Sequence, residues 1–479
     1  MPPEAAMPYY RDLKDADRYT ADEADWIARR LLDLRARLRE PAPAGVSRRV
    51  LDSSLVIGTW NIRDFDNNKF RHGPRRQESL HYIAEVISSF DVCALQEVSD
   101  DLTALERVMQ LLGPSWSFIA TDITEGPSGN RERMCFVYDT RKVRFRNIAG
   151  EVVLPKHKLL PNEQQFARTP FLVAFEAGWF KFSLCTVHIY FGEDSKGSEG
   201  YQRRVAEIRH IAKMFADKAD KEGENYILLG DFNIKNPIDE TMQALKGAGF
   251  ILPPELFPSN LLKDKYYDQI AFRTKRDEVT FLSAGCFDYA KAVFRDEDYA
   301  HYAPAMPARQ RDLDAKGKPT SLEKDRQYYT GRWRTWQMSD HLPLWVELAV
   351  DFSDAYLGRF IDPTAAKRSA PAQLELTGED EDRPPPRDGE DDGPPVVRVR
   401  KSGPRVRVEP APEPVKKPKA RKAPPKPKPE KVGTAQPDRP FTLGEAWRVF
   451  KFVASGQADD LRRLREEREH EAKTAKRKK

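Results

Sequence analysis

The chain has no Cys-X-X-Cys pair and no apolar run long enough to cross a bilayer. Its cysteines, Cys93, Cys135, Cys185 and Cys286, stand far apart, and most of them sit inside apolar strand-like runs. They read as structural thiols in a reducing compartment, which argues against a disulfide scaffold and against cysteine-ligated zinc. The segment from Met1 to Thr20 carries neither a basic start nor an apolar stretch, so the expectation is a soluble, cytoplasmic protein without a transmembrane segment. A large excess of one charge is also missing. Lys and Arg number 80 against 75 Asp and Glu, a formal charge of +5, too even to name a partner. No internal repeat is visible, and nothing sets an oligomeric state; a monomer is the expectation.

Proline and charge are plentiful but unevenly spread. Of 37 prolines in 479 residues, 17 lie between Pro371 and Pro440, in a stretch that is acidic at first (Glu379 to Asp392) and basic later (Arg398 to Lys431). Such a segment buries too little apolar surface to offset chain entropy, which predicts a disordered, extended linker. The expected organisation is therefore a helical extension over 1–50, a main domain over 51–355, the linker over 356–440 and an amphipathic, basic helix over 441–479. The basic part of the tail could bind polyanions through counterion release, or serve as a spacer for the stripe Leu443, Trp447, Phe450 and Val453.

Ile27, Leu31, Leu34 and Leu38 recur at helical spacing until Pro41, which predicts a helix ahead of the main domain. Short apolar runs then read as strands at 55–63, 92–98, 116–121, 133–138, 171–175, 180–189, 226–229, 266–272 and 279–283. Helical spacing appears over 77–90 and 201–219. This mixture predicts an α/β or α+β layered domain from about Leu51 to Asp351.

The stretch Tyr226 to Pro237 organises the rest. Its apolar run should end at Gly230, and Asp231 and Asn233, two residues apart in an extended chain, should face one spot. Such an oxygen pair can hold a hard cation and orient a phosphate; a turn closed by Asp231 explains the same residues locally. By the same spacing argument Asn61 and Arg63 should share a face. Polar groups also end other strands: Glu97, Glu132, Arg168, His188, Asp268, and Asp340 with His341. Taken one at a time, each has an ordinary structural explanation.

In order, Thr59-Trp60-Asn61-Ile62-Arg63, Leu95-Gln96-Glu97-Val98, Glu132-Arg133, Arg168-Thr169-Pro170, Thr186-Val187-His188, Gly230-Asp231-Phe232-Asn233, Tyr267-Asp268-Gln269-Ile270 and Ser339-Asp340-His341 resemble the motifs of the endonuclease/exonuclease/phosphatase superfamily, in its deoxyribonuclease I-like form. The match spans Leu55 to Leu348. The resemblance implies a four-layered sandwich, two packed mixed β-sheets flanked by helices, that cleaves phosphate esters with Mg²⁺ or Mn²⁺. It implies Glu97 and Asn61 as metal ligands, with Asp231, Asn233 and Asp340 on the opposite wall contacting water, phosphate or a second ion. It pairs Glu132 with His188 and Asp268 with His341 as catalytic groups. Asn61, Arg63, Arg168 and Asn233 would bind the substrate phosphate. The water could be activated by a carboxylate such as Asp231 or by a histidine, and the complete histidine–carboxylate pairs favour the histidine.

The sequence departs from the resemblance at substrate-contacting places. Ser99 and Asn130 stand where deoxyribonuclease I-like duplex readers carry Arg and Tyr, and Tyr267-Asp268-Gln269 replaces the inositol-phosphate branch's Trp-Cys-Asp-Arg run. An insertion from Arg295 to Trp336 interleaves Arg309, Arg311, Arg326, Arg332 and Arg334 with Tyr299, Tyr302, Tyr328, Tyr329, Trp333 and Trp336. It would suit single-stranded nucleic acid if those rings are exposed, and is an ordinary loop if they pack underneath. The expected function is a nucleic-acid phosphodiesterase or endonuclease. The alternatives are a phosphatase or phospholipase of the same fold, and a catalytically inactive nucleic-acid-binding protein.

Overall fold

The computed structural model of the chain describes residues 8–361 apart from 51, 125–129, 161, 163, 275–278 and 308–320. The expected linker and C-terminal helix lie outside the described residues, except that a helix, Ser353–Ile361, runs past the expected boundary at 355.

Among the described residues, eleven strands form two sheets. The strands are β1 (Ser54–Phe65), β2 (Val92–Val98), β3 (Trp116–Ala120), β4 (Arg133–Asp139), β5 (Arg144–Glu151), β6 (Phe171–Ala177), β7 (Phe180–His188), β8 (Asn225–Asp231), β9 (Asp268–Arg273), β10 (Thr280–Cys286) and β11 (Leu344–Ala349). The first sheet runs β10-β11-β1-β2-β4-β3 and the second β5-β6-β7-β8-β9. Each is mixed: β1 pairs parallel with β2 and antiparallel with β11, and β7 pairs parallel with β8.

Side-chain alternation explains why these runs are apolar throughout. On β1, Leu55 and Ile57 enter the core between the sheets while Val56 and Trp60 face outward into a second core. On β8, Ile227 and Leu229 point inward and Tyr226 and Leu228 outward. Both faces of these central strands are covered, so neither face needs polar residues. The first sheet's outer face is covered by α1 (Ala21–Leu38), α2 (Gln77–Ile87) and α3 (Thr103–Leu112), the second's by α4 (Glu199–Glu222) and α5 (Glu240–Lys246). Helix, sheet, sheet, helix is the four-layered order the resemblance implied.

The first helix starts on a capping box: Thr20 Oγ1 accepts from Glu23 N at 3.2 Å and Glu23 Oε2 from Thr20 N at 2.9 Å. It buries Ile27, Leu31, Leu34 and Leu38, as the periodicity predicts. The cysteines are free and lie in strands. No helix among the described residues is long and apolar enough to cross a membrane.

The insertion differs from one of its two readings. Tyr302, Tyr329, Trp333 and Trp336 are buried, and Tyr299 nearly so. Tyr299, Tyr302, Tyr329 and Trp333 pack on one another and join the core under α1 and α2, where Trp26 Nε1 donates to Tyr302 Oη at 3.0 Å, while Trp336 packs on Phe70 and His72. These rings pack inside because together they remove several hundred square ångströms of apolar surface from water, and they are closed to base stacking. Arg309 and Arg311 lie outside the described residues.

Candidate active site

The groups expected from strand ends do come together, at the end of the sandwich where β1, β2, β7 and β8 finish. Two features place them. Hydrogen bonds lock the sheets to each other just below: Gln96 Nε2 donates to Thr59 Oγ1 at 3.1 Å and, across the gap, to Thr186 Oγ1 at 2.8 Å. Above, the chain leaves the strands through left-handed backbone at Arg63 (φ 50°), Asp64 (45°), Glu97 (60°) and Asn233 (53°). Non-glycine residues adopt this region at a cost of about 1 kcal/mol or more.

These turns correct the alternation argument. β8 extends to Asp231 rather than stopping at Gly230. Gly230 sits at φ 127°, where a Cβ would lie 2.2 Å from Val187 O, so only glycine fits. Asn233 then turns away from the extended path. Its backbone N donates to Asp231 Oδ1 at 2.9 Å and its Nδ2 to Ile189 O at 2.8 Å, so it closes a turn that fixes the Asp231 carboxylate. Arg63 likewise turns out of Asn61's face; its N donates to Asn61 Oδ1 at 3.0 Å.

Asn61 bridges the two walls. Its Nδ2 donates to Glu97 Oε1 at 2.9 Å and to Asp231 Oδ2 at 3.0 Å. Glu97 Oε2 accepts from Asp64 N at 3.0 Å. Ser339 Oγ donates to Asn61 O at 2.6 Å and accepts from His341 N at 3.0 Å, tying the loop before β11 to β1.

Both histidine–carboxylate pairs form. His341 Nδ1 lies 2.7 Å from Asp268 Oδ2, and Asp268 N donates to Ser259 Oγ at 2.9 Å. His188 Nδ1 lies 3.2 Å from Glu132 Oε2, an ion-pair distance without hydrogen-bond alignment. Arg168 Nε bonds the other oxygen of Glu132. The outer nitrogens of both rings converge on one atom: Asp231 Oδ2 is 3.6 Å from His188 Nε2 and 3.8 Å from His341 Nε2. Burial opposes charge on each ring and Arg168 opposes it at His188, but the carboxylates outweigh both. His188 is raised, and His341 is raised well above the ordinary histidine value. Glu132, despite its burial, is held down to about 2 by His188 and Arg168.

Glu97 shows the opposite imbalance. Burial first, then the nearby charges of Glu132, Asp64 and Asp340, push it up, with His188 the opposing cation. Glu97, Glu132 and His188 offer ligand atoms within 4.8 Å of one another. Because Glu132 is already engaged by Arg168 and His188, Glu97 is the member with free lone pairs. A concentration of carboxylate oxygen short of positive charge, with no thiolate in it, fits a hard divalent ion. Asn61 presents its N–H groups to the carboxylates, so in this arrangement it orients Glu97 rather than offering its oxygen. Asp340 stands at the rim with its side chain 52% exposed, 3.9 Å from Arg63 Nε. Arg63 bonds Thr335 Oγ1 and remains partly exposed. Arg168 is 9% exposed and serves Glu132, which leaves Arg63 as the arginine open to a ligand.

Two supporting residues escaped the sequence reading. Arg204 and Glu207, both buried, project from α4 behind the site. Arg204 donates to Tyr190 O at 3.2 Å, Glu193 O at 3.3 Å and Asn233 O at 3.3 Å. Glu207 accepts from Ala167 N at 3.0 Å and Tyr190 N at 3.1 Å. The loops carrying Arg168, His188 and Asp231 therefore hang on one helix. The signal was a charged pair at helical spacing among Tyr201, Val205, Ile208 and Ile211, positions that should be apolar.

A fold of two mixed sheets between helices, with acids, histidines and amides gathered at one end, defines a hydrolase of phosphate esters. A sequence profile of the Endonuclease/Exonuclease/phosphatase family matches residues 58–354, and the chain belongs to that family. No curated protein matches the chain. Solved structures similar to it include the human nocturnin catalytic domain with bound sulfate, at 12% identity over 62% of this chain and 95% of that one (TM-score 0.39). Others are the Bacteroides thetaiotaomicron mannosyl-6-phosphatase Bt3783, at 15% identity over 61% and 99% (0.39), and D. rerio TDP2 complexed with a single-strand DNA product, at 15% over 62% and 99% (0.39).

Proposed function

We propose that the chain is a Mg²⁺- or Mn²⁺-dependent phosphodiesterase that cleaves nucleic acid. The observation behind this reading is the pair of buried histidine–carboxylate couples whose outer nitrogens lie 3.6 and 3.8 Å from one Asp231 oxygen. Diester cleavage has to orient a water, neutralise the phosphoryl oxygens and protonate an alkoxide leaving group, and two positioned imidazoles supply the protons. Both imidazoles are drawn towards the charged form, so the base is assigned to a carboxylate rather than to a histidine. Asp231, fixed by Asn61 and by the Asn233 backbone, takes the proton from water. His341, held by Asp268 Oδ2 at 2.7 Å from its Nδ1, donates to the leaving oxygen. His188 and Arg63 carry positive charge to the phosphate, while Glu132 and Asp268 hold the ring tautomers. Glu97, with Asp231 as the second carboxylate, would hold the divalent ion, which supplies Lewis-acid polarisation of the phosphoryl group when bound.

The test is to incubate the purified protein with plasmid, single-stranded oligonucleotide, RNA and a panel of phosphate monoesters, each with Mg²⁺, Mn²⁺ or EDTA. Cleavage of a nucleic acid that EDTA stops supports the reading. Hydrolysis of monoesters alone overturns it in favour of a phosphatase, and turnover untouched by EDTA removes the metal.

A further inference from the structure

The buried insertion redirects attention to the loop it holds in place. Residues 66–73 follow β1 and read Asp-Asn-Asn-Lys-Phe-Arg-His-Gly, basic and aromatic residues side by side. The insertion's helix Leu322–Tyr328 continues through a π-helical turn, Tyr329–Trp333, into Arg334–Gln337. From it Trp336 Nε1 donates to Gly73 O at 2.8 Å, and Tyr328 Oη lies 2.9 Å from His72 Nδ1. Arg75 secures the loop's far end, donating to Ile62 O at 2.6 Å and Met338 O at 2.9 Å. The near end is tied down by Lys69, which bonds Asp64, whose own N–H holds Glu97.

A braced loop of this kind would be expected to hide its one large ring, yet Phe70 is 49% exposed. It rests edge-on against Trp336 at 6.2 Å, with Lys69 Nζ 5.0 Å from its centroid. Arg71 and Arg332 are exposed and form no ion pair among the described residues. Arg332 follows Tyr328 by one turn, and its carbonyl accepts from Thr335 Oγ1 at 2.8 Å, the hydroxyl that Arg63 also bonds.

We infer that Phe70, with Lys69, Arg71 and Arg332, is a platform on which a nucleotide next to the scissile phosphate stacks, in an unpaired strand. The inference rests on the nucleic-acid reading above and deepens it. An aromatic face accepts any base, and flanking cations hold the neighbouring phosphates. A base must be out of its duplex to lie on such a ring, so single strands are the favoured substrate. Phe70 belongs to the binding surface and not to the group of reacting residues.

The experiment compares wild type with Phe70→Ala, Phe70→Trp and Arg332→Glu. Binding of fluorescein-labelled oligothymidylate, and of an equally long abasic oligomer that keeps the phosphates but has no ring to stack, is measured by anisotropy across a salt series, and turnover is measured on the oligothymidylate. Expected are a roughly tenfold weaker oligothymidylate affinity for Phe70→Ala, retention by Phe70→Trp, and no loss of Phe70→Ala affinity for the abasic oligomer. Arg332→Glu should flatten the salt dependence by about one phosphate contact. Equal oligothymidylate affinity in Phe70→Ala and wild type overturns the platform, as does an equal loss on the abasic oligomer or a wild type that does not bind the oligothymidylate. If wild type binds but never cleaves it, and Phe70→Ala weakens that binding, the platform stands and the nucleic-acid phosphodiesterase reading falls.

Discussion

The first sheet carries a buried cluster of charges at each end, and the two are built on opposite principles. Beneath the starts of β1 and β2, Arg49 bonds Asp91 and Asp139, and Lys142 Nζ reaches Asp91 Oδ2 at 2.6 Å and Val50 O at 2.5 Å. Asp91 Oδ2 also accepts from Val56 N at 2.8 Å, and Arg141 closes on Asp139. The buried acids and bases balance there, Asp91 and Asp139 against Arg49 and Lys142, with the partly exposed Arg141 outside the count, and the side chains of those four are at most 4% exposed. At the other end Glu97, Asp231, Glu132 and Asp268 face each other with Arg168 and two imidazoles to answer them. The balanced cluster joins the N-terminal extension to the sheet. The unbalanced one leaves charge for a cation, a proton or a phosphate to complete. Burial of charge by itself therefore does not mark a site; uncompensated buried charge does.

Substitutions at the two ends should behave differently. The largest effect belongs to the acidic end: Glu97→Ala or Asp231→Ala should lower turnover at least a hundredfold while circular dichroism and the unfolding midpoint stay near wild type. His188→Ala and His341→Ala should lower kcat far more than they raise KM, and a change in KM alone would make them binding residues. At the balanced end, Asp91→Asn should destabilise the fold by about 3–5 kcal/mol, because it leaves Lys142 buried without its counter-charge and Arg49 with Asp139 alone. Its activity per folded molecule should be normal. A denaturant titration beside an active-site assay separates the two.

A smaller effect should come from the ion. Mg²⁺ or Mn²⁺ at a hundred times its dissociation constant should stabilise wild type by about 2.7 kcal/mol. The gain should vanish in Glu97→Gln, and an equal gain in that variant would move the metal elsewhere. The smallest effect has an unusual sign. Glu97 is raised, so its ionised form is disfavoured in the folded chain, and Glu97→Gln in EDTA should increase stability at neutral pH by about 1 kcal/mol. The increase should fade as pH falls below the ordinary carboxylate value, where Glu97 is protonated folded or unfolded. Glu132 runs the other way. Held at about 2, it adds stability above the ordinary carboxylate value of 4.5, and that stability is lost as pH falls towards 2. Glu132→Gln should remove this acid-side slope in melts run from neutral to acidic pH.

Much of this was legible from residues. Strands whose two faces are both covered leave unbroken apolar runs, and motifs at their ends named every group that meets at Asp231. Period-two reasoning went astray where the backbone stops being extended, at Arg63 and Asn233, since composition does not announce a positive φ outside glycine. The helices α3 and α5 and the edge strand β5 were not anticipated. α5 is short, and β5 exposes Ile148 beside Arg144 and Arg146, so its pattern resembles a loop. The aromatic insertion could not be assigned to surface or core from spacing alone, because its helix is broken by a π turn that changes which residues share a face.

Three of the pairings at the site have one more property in common: each reaches across the seam. Glu132 on the first sheet meets His188 on the second, Asn61 on β1 meets Asp231 on β8, and Asp268 on β9 meets His341 from the loop before β11. Neither sheet by itself contains a working set. Turnover is thus a gauge of tertiary order, silent in any partly assembled form whose strands are intact but whose sheets are undocked. During mild denaturation the catalytic signal should disappear ahead of the far-ultraviolet one, and during refolding it should be the last to return.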